Sequence, residues 1–242
     1  MLFYYDLHMH TCLSPCGEEE MTPNNVVNMA MIKGLDILAI ADHNHCGNVR
    51  SAMAVAAKRD MLLVPAMELQ TLEDVHVLCL FRWIEALEAF FEIVDQAMLK
   101  LPNRPERFGH QRMLDDQDEP VGEVVHTLIT SCQLSLTEAV AAVKALGGVA
   151  VPAHINRGSN SLLSNLGFIP PGEGFVTLEV TAGEMGDQFI AGHPELAGYR
   201  ILRNSDAHQL TAISERENAI DLKERTLDCL IDSLLTPLNI KE

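Results

Sequence analysis

Gly34-Leu35-Asp36-Ile37-Leu38-Ala39-Ile40-Ala41-Asp42-His43 is the stretch that decides the architecture. Five consecutive apolar residues, 37–41, lack the alternation of a half-exposed strand, so they predict a strand buried on both faces. Gly34 ends the preceding helix, which opens at Thr22-Pro23 with a capping hydroxyl and a proline in the first helical position. Val26, Val27, Ala30 and Met31 supply that helix with its apolar face. The strand then delivers Asp42 and His43, two polar residues, where the apolar run stops.

The same scheme repeats outward from this point. Residues 3–7 predict a short strand ending at His8. A helix over roughly 49–59 leads to a strand at 62–66, which delivers Glu68. Residues 75–81 are rich in strand formers and carry His76 near their start rather than their end. Ser135-Leu136-Thr137-Glu138 is a capping box, and its helix closes at Gly147-Gly148. The strand at 149–153 delivers His154, another lies at 176–180, and a further one at 199–202 runs toward Asp206. The last helix covers 226–235. Such β/α alternation predicts a mainly parallel sheet, and polar residues at strand ends predict a barrel-like active face. About seven strands are visible, short of eight.

One segment breaks the rhythm. Residues 83–101 predict a long amphipathic helix, 102–120 a proline-containing loop with an acidic run at 115–119, and another helix begins near Val121. We read about 84–134 as an insertion near the barrel mouth of a single domain, 1–242. Arg104, Arg107, His110 and Arg112 form a local basic patch within it.

The chain has 242 residues, 48% of them hydrophobic, enough for one large core. Seventeen Lys and Arg stand against 34 Asp and Glu, a net charge of −17. That balance opposes a long duplex nucleic acid, whose binding draws on basic side chains that neutralise phosphates. A metal cluster can still attract an individual phosphate. The amino terminus has no signal-peptide pattern, no apolar run is long enough to span a bilayer, and the six cysteines are scattered. These features lead us to expect a cytoplasmic protein without a membrane partner.

The polar clusters carry the chemistry. His8 and His10 alternate on an extended segment, so both face one way and can bind one cation, while Met9 faces into packing. Asp206 and His208 repeat that spacing. Glu68 has two oxygens and can bridge two cations, and His76 converges on it if the strand from Val75 pairs beside the one ending at Glu68. Each pair alone has a bland structural reading, but the set favours metal.

In order, Asp6-Leu7-His8-Met9-His10, Ala41-Asp42-His43-Asn44, Glu68 with His76, Pro152-Ala153-His154 and Ser205-Asp206-Ala207-His208 resemble the PHP (polymerase and histidinol phosphatase) family over nearly the whole chain. The resemblance implies an α/β fold, a distorted (β/α)7 barrel holding two or three divalent ions (Zn, Mn or Fe). His8, His10, Glu68 and Asp206 would hold the first ion, and Glu68, His76 and His154 the second. A third, completing a trinuclear centre, would take His43, His208 and a ligand from the loop after His10. That loop often supplies His or Asp in relatives; here the matching residue is Cys16, either a ligand or an idle thiol. Thiolate suits zinc or iron and disfavours manganese.

The activity so implied is phosphoester hydrolysis by a hydroxide bridging two ions. Asp42 is a candidate for leaving-group protonation, although it more readily orients a ligand histidine. Arg157 is the candidate to grip phosphate. His45 reads as a neighbour of the pocket, and His126 and His193 as structural. The expected substrate is a small phosphomonoester or nucleotide. An exonuclease trimming short oligonucleotides is the alternative, and a non-catalytic, metal-stabilised module the third reading. The oligomeric state has no signature in the sequence.

Overall fold

The computed structural model describes residues 1–238; the last four residues of the expected domain lie outside the described residues. In chain order the elements are β1 (Leu2–Met9), α1 (Pro23–Ile32), β2 (Ile37–Ile40), α2 (Val49–Ala57), β3 (Leu62–Gln70), β4 (His76–Leu80), α3 (Ile84–Ala97), α4 (Pro105–Phe108), β5 (Arg112–Leu114) and β6 (Pro120–Glu123). There follow α5 (Leu136–Ala145), β7 (Val149–Pro152), α6 (Leu162–Leu166), β8 (Thr177–Thr181), α7 (Glu184–Gly192), β9 (Arg200–Asn204), β10 (Ala219–Asp221) and α8 (Leu227–Leu235).

A six-stranded sheet runs β10-β1-β2-β3-β4-β7, and β8 pairs in parallel with β9. The β8–β9 pair lies against β7 on one side and β1 on the other, so seven strands curl around one interior. This is the distorted barrel anticipated from the strand count. The interior is filled by small and branched side chains, including Leu7, Ala39, Ala41, Val64, Ala66, Leu78 and Val151, with Leu230, Ile231 and Leu234 of α8 packed against them. A second, larger core joins the outer strand faces to the helices through Val26, Leu38, Ile40, Val55, Phe81 and Phe90. Burying each such side chain contributes on the order of 2 kcal/mol.

The sheet is less parallel than the sequence suggests. β4 is antiparallel to both β3 and β7. Only five residues separate β3 from β4, too few for the crossover that parallel pairing requires. Asp74, at φ +62°, turns the chain. The reversal explains why His76 comes first in its strand: the start of β4 lies at the same end of the barrel as the finish of β3, with His76 opposite Gln70.

The helix expected near Val121 is instead strand β6, paired with β5 in a hairpin. The carboxylate of Asp115 accepts the amides of Gln117 and Glu119, both at 2.9 Å, and Asp118 adopts φ +65°. An aspartate-capped turn therefore competes successfully with helix initiation. The long amphipathic helix ends at Ala97, and the loop after it contains the short α4. The segment packs on the connections that follow β1 and β2. Asn48 accepts from Leu114 N at 2.8 Å, and Asn44 Nδ2 donates to Leu128 O at 2.7 Å. Gly109 (φ +86°) sits so close to Pro15 O that a Cβ there would lie 2.8 Å from it. Among the described residues, no helix is long and apolar enough to cross a membrane.

Candidate metal centre

Backbone pairing continues beyond the strands into the polar motifs and gathers them. His10 N donates to Ala207 O at 2.9 Å, Asn44 N to Glu68 O at 2.9 Å, and Glu68 N to Asp42 O at 3.2 Å. His154 and Asp206, just past β7 and β9, have φ of +29° and +51°. Such values are sparsely populated for side-chain-bearing residues and persist only where surrounding contacts enforce them. Met9 is buried in the core on the helix side, as its alternation with the histidines requires.

Glu68 is the hub, only 1% exposed. Its Oε1 lies 2.8 Å from His76 Nδ1, 3.0 Å from His154 Nε2 and 3.3 Å from His8 Nε2. Its Oε2 lies 2.9 Å from His43 Nδ1 and 3.4 Å from His10 Nε2. Asp206 Oδ1 is 2.9 Å from His10 Nε2 and 3.5 Å from His8 Nε2. Three sets of ligand atoms fall within 4.8 Å of one another: His8, His10, Glu68 and Asp206; His43, Glu68 and His76; His10, His43 and His208.

The first set is the one implied for the first ion. Glu68 and His76 meet as implied for the second, with His154 on the same oxygen; His43 also reaches this group. His43 and His208 meet with His10. No cysteine joins these three sets among the described residues. Cys16 is exposed.

The donors fit a cation better than they fit one another. His8 Nε2, His43 Nδ1, Glu68 Oε2 and His154 Nδ1 are buried without a hydrogen-bond partner. His43 Nδ1 and Glu68 Oε2 are close enough to bond but misaligned, as atoms are when their lone pairs point at a shared third position. A tetrahedral ion with bonds of about 2.1 Å sets its ligand atoms roughly 3.4 Å apart. Three of the separations around His8, His10, Glu68 and Asp206 are 3.3–3.5 Å, and the fourth, His10 to Asp206, is a 2.9 Å hydrogen bond.

Electrostatics tells the same story. Burial opposes the charge of His10, yet hydrogen bonds and charges from Asp206 and Glu68 prevail and raise its pKa to about 9. His43 is likewise raised to about 9, against burial, chiefly by Glu68. His8 is raised well above its usual value, again against burial, by Glu179, Glu68 and Asp206. Burial pushes the Glu68 carboxyl up, but His76, His8 and His43 more than reverse this and hold it well below the usual range. His208 is lowered to about 3 by burial and by His10. Without a bound cation, then, protons occupy part of the ligand set.

The remaining candidates fall around this hub. Asp42 is fully buried beneath the histidines. Thr11 N, Thr11 Oγ1 and Ser14 Oγ each donate to it at 2.7 Å. Ser14 Oγ in turn accepts from His10 Nδ1 at 2.9 Å and from His43 N at 3.1 Å. Arg157 is 41% exposed, and its Nη1 lies 2.6 Å from Asp206 Oδ2. It also lines an open cavity of 590 Å³ that includes Thr181, Met185 and Phe189. His45 packs on Phe91 with ring centres 4.4 Å apart and accepts from Gly47 N at 2.9 Å. The ring of His193 packs tilted against Phe189 with centres 4.2 Å apart, and the backbone of His126 pairs with that of Pro102.

Sequence reasoning missed Glu179, Asn204 and Ser14. Glu179 is fully buried, with both oxygens about 3 Å from His8 Nδ1. A lone acid inside the apolar run Val176-Thr177-Leu178-Glu179-Val180 was the available signal, because carboxylates are almost never buried without a partner.

Neither a protein-family model nor a curated protein sequence matches the chain. Solved structures do. Endonuclease Q of Pyrococcus furiosus, a lesion-specific endonuclease, superposes with a TM-score of 0.67 at 18% identity, over 97% of this chain and 56% of that one. Endonuclease Q in complex with a 27-mer duplex bearing an abasic lesion gives 0.65 at 17%, over 97% and 56%. A Bifidobacterium adolescentis protein described as a metal-dependent phosphoesterase gives 0.62 at 20%, over 96% and 95%. A two-domain Bacteroides vulgatus protein with a PHP-like metal-dependent phosphoesterase domain gives 0.59 at 17%, over 97% and 63%. The chain thus spans little more than half of Endonuclease Q. These likenesses show the fold, a distorted barrel of the PHP-like type.

The place of Cys16 is open to direct measurement. If its thiolate completes a third ion site with His43 and His208, Cys16→Ser lowers the metal content by about one ion per chain. Unchanged stoichiometry by elemental analysis removes it from the centre.

Proposed function

We propose that this chain is a metal-dependent phosphoesterase of PHP type. The observation that carries the reading is the convergence of five imidazoles on the buried Glu68, with His8 Nε2 and His43 Nδ1 left unpartnered there, beside a half-exposed guanidinium. His8, His10, Glu68 and Asp206 would hold one divalent ion, zinc, manganese or iron. Glu68, His76 and His154 would hold a second, with His43 at hand, and His43, His208 and Cys16 a third. Bound there, such ions neutralise phosphoryl charge and acidify water.

The chain's own residues do the rest. Ser14 transmits the Asp42 carboxylate to His10 Nδ1, so Asp42 serves to fix that ring with Nε2 facing inward. Its oxygens already accept three donors, which argues against a role as the proton donor to a leaving group. Arg157 can turn from Asp206 onto two oxygens of a phosphate, a geometry that guanidinium matches. The neighbouring cavity offers Met185 and Phe189 to the organic part of a small phosphate ester or nucleotide.

Arg157→Ala is therefore expected to raise KM for phosphomonoesters about tenfold or more, since a hydrogen bond to a charged group is worth about 1.5–3 kcal/mol. Metal content stays the same. Equal KM values would return Arg157 to the surface.

The likeness to Endonuclease Q favours a second reading, hydrolysis of a nucleic-acid phosphodiester, and stands against the expected exclusion of long duplexes. Assays on phosphomonoesters, short 5′- and 3′-phosphorylated oligonucleotides and lesion-bearing duplexes, each with and without added metal, separate the two. Cytoplasmic location remains part of the proposal, resting on the scattered free cysteines.

A further inference from the structure

A carboxylate outside the converging ligand set holds His8 from behind. Glu179, in β8, is 1% exposed, with its oxygens 3.0 and 3.1 Å from His8 Nδ1. His154 N donates to its Oε1 at 2.9 Å, and Asn204 Nδ2 to its Oε2 at 2.7 Å. Asn204 is fixed in turn, because its Oδ1 accepts from Leu7 N at 2.9 Å. Four strands (β1, β7, β8 and β9) or their ends thus meet at one buried charge.

Each neighbour of this carboxylate is a donor, so His8 carries its ring proton on Nδ1. In the neutral ring Nε2 then directs its lone pair toward Glu68 and Asp206, and no hydrogen bond satisfies that atom. The same carboxylate grips the amide of His154 in its left-handed conformation. Leu178 and Val180, on either side, are fully buried core residues. A charge so placed is costly unless its negative sign is used.

We propose that Glu179 is a positioning residue of the centre. It fixes the tautomer and ring angle of His8, sets the backbone that presents His154, and lends negative charge to a bound cation through the imidazole. The inference rests on the metal-centre reading above.

The experiment measures Zn²⁺ affinity of the full chain by competition with a chromophoric chelator, alongside melting of the metal-free form. Glu179→Gln keeps the shape but removes the charge, and its amide must face a donor. It is expected to weaken Zn²⁺ binding about 10–100-fold, the usual effect of losing such a partner. The double variant Glu179→Gln/Asn204→Asp restores hydrogen-bond polarity, since the introduced amide can donate to the new carboxylate, which still accepts from Leu7 N. It is expected to recover the melting temperature while affinity stays low, because the charge no longer touches His8. Should the single variant fail to fold, the double variant carries the test. Unchanged affinity in Glu179→Gln, or full recovery of affinity in the double variant, overturns the proposal. A wild-type chain that takes up no Zn²⁺ overturns the centre itself, a different result from an intact centre indifferent to Glu179.

Discussion

Glu68→Ala is expected to abolish metal-dependent hydrolysis and to lower metal content by more than one ion per chain. Five histidines lie within 3.4 Å of the two Glu68 oxygens, and the carboxylate enters two of the three convergent ligand sets. Alanine removes a shared ligand from both at once, so single-site arithmetic does not apply. Charge stabilisation by a bound cation is worth several kcal/mol, so its loss costs on the order of 10³ or more in rate. The metal-free chain suffers as well. Breaking a buried ion pair by removing one partner costs about 3–5 kcal/mol, and here several histidines lose the same partner. Elemental analysis, turnover and melting of the purified variant check the three effects together. Retained turnover would sink the proposed centre.

The fold and most of the cluster can be read from sequence because both rest on local patterns. The apolar run 37–41 is a buried strand by composition alone, and Thr22-Pro23 starts a helix by capping chemistry; Thr22 Oγ1 does accept from Asn25 N. His8, His10, Glu68, His154 and Asp206 are legible because each stands where such a run gives out. What escaped depends on pairing between distant segments. The direction of β4 follows from a five-residue turn rather than from the residues of the strand. The hairpin of β5 and β6 depends on the Asp115 carboxylate capping its own turn, which outcompetes the helical tendency assigned to residues after Val121. Ser14 matters only because the loop after β1 folds back over Asp42. Glu179 lies 171 positions from His8, and only barrel closure brings them together.

That closure also explains why the clustered histidines divide into two electrostatic groups. For His8, His10 and His43 the carboxylates outweigh burial, whereas for His76 and His208 burial, helped by the other imidazoles, outweighs them, even though His76 Nδ1 lies 2.8 Å from Glu68. A cation would have to displace protons from the first group, whereas the second gives up its protons more readily. Opposed shifts thus stand side by side within a single cluster, an arrangement common where side chains serve chemistry rather than packing.

The metal-free chain is expected to show a bell-shaped pH dependence of stability, flattened on the alkaline side by metal. His10 and His43 have folded pKa values of about 9, above the ordinary 6.5. A raised histidine contributes stability that is fully present below the unfolded pKa and is lost as pH rises through the folded one. For His10 that contribution is on the order of 3 kcal/mol. His208, at about 3, and His45, at about 4, work in the opposite sense. Their neutral forms are favoured, so stability falls as pH drops below 6.5 toward those values. The metal-free chain should therefore be most stable near pH 6.5 and melt at lower temperature on both sides. A bound divalent ion replaces the protons of His8, His10 and His43 as partner of Glu68 and Asp206, and its affinity increases as those protons leave. The gap in melting temperature between loaded and chelator-treated protein should widen steadily from pH 6.5 to 9. A gap that narrows over that interval would mean that the carboxylates do not hold protons on these histidines.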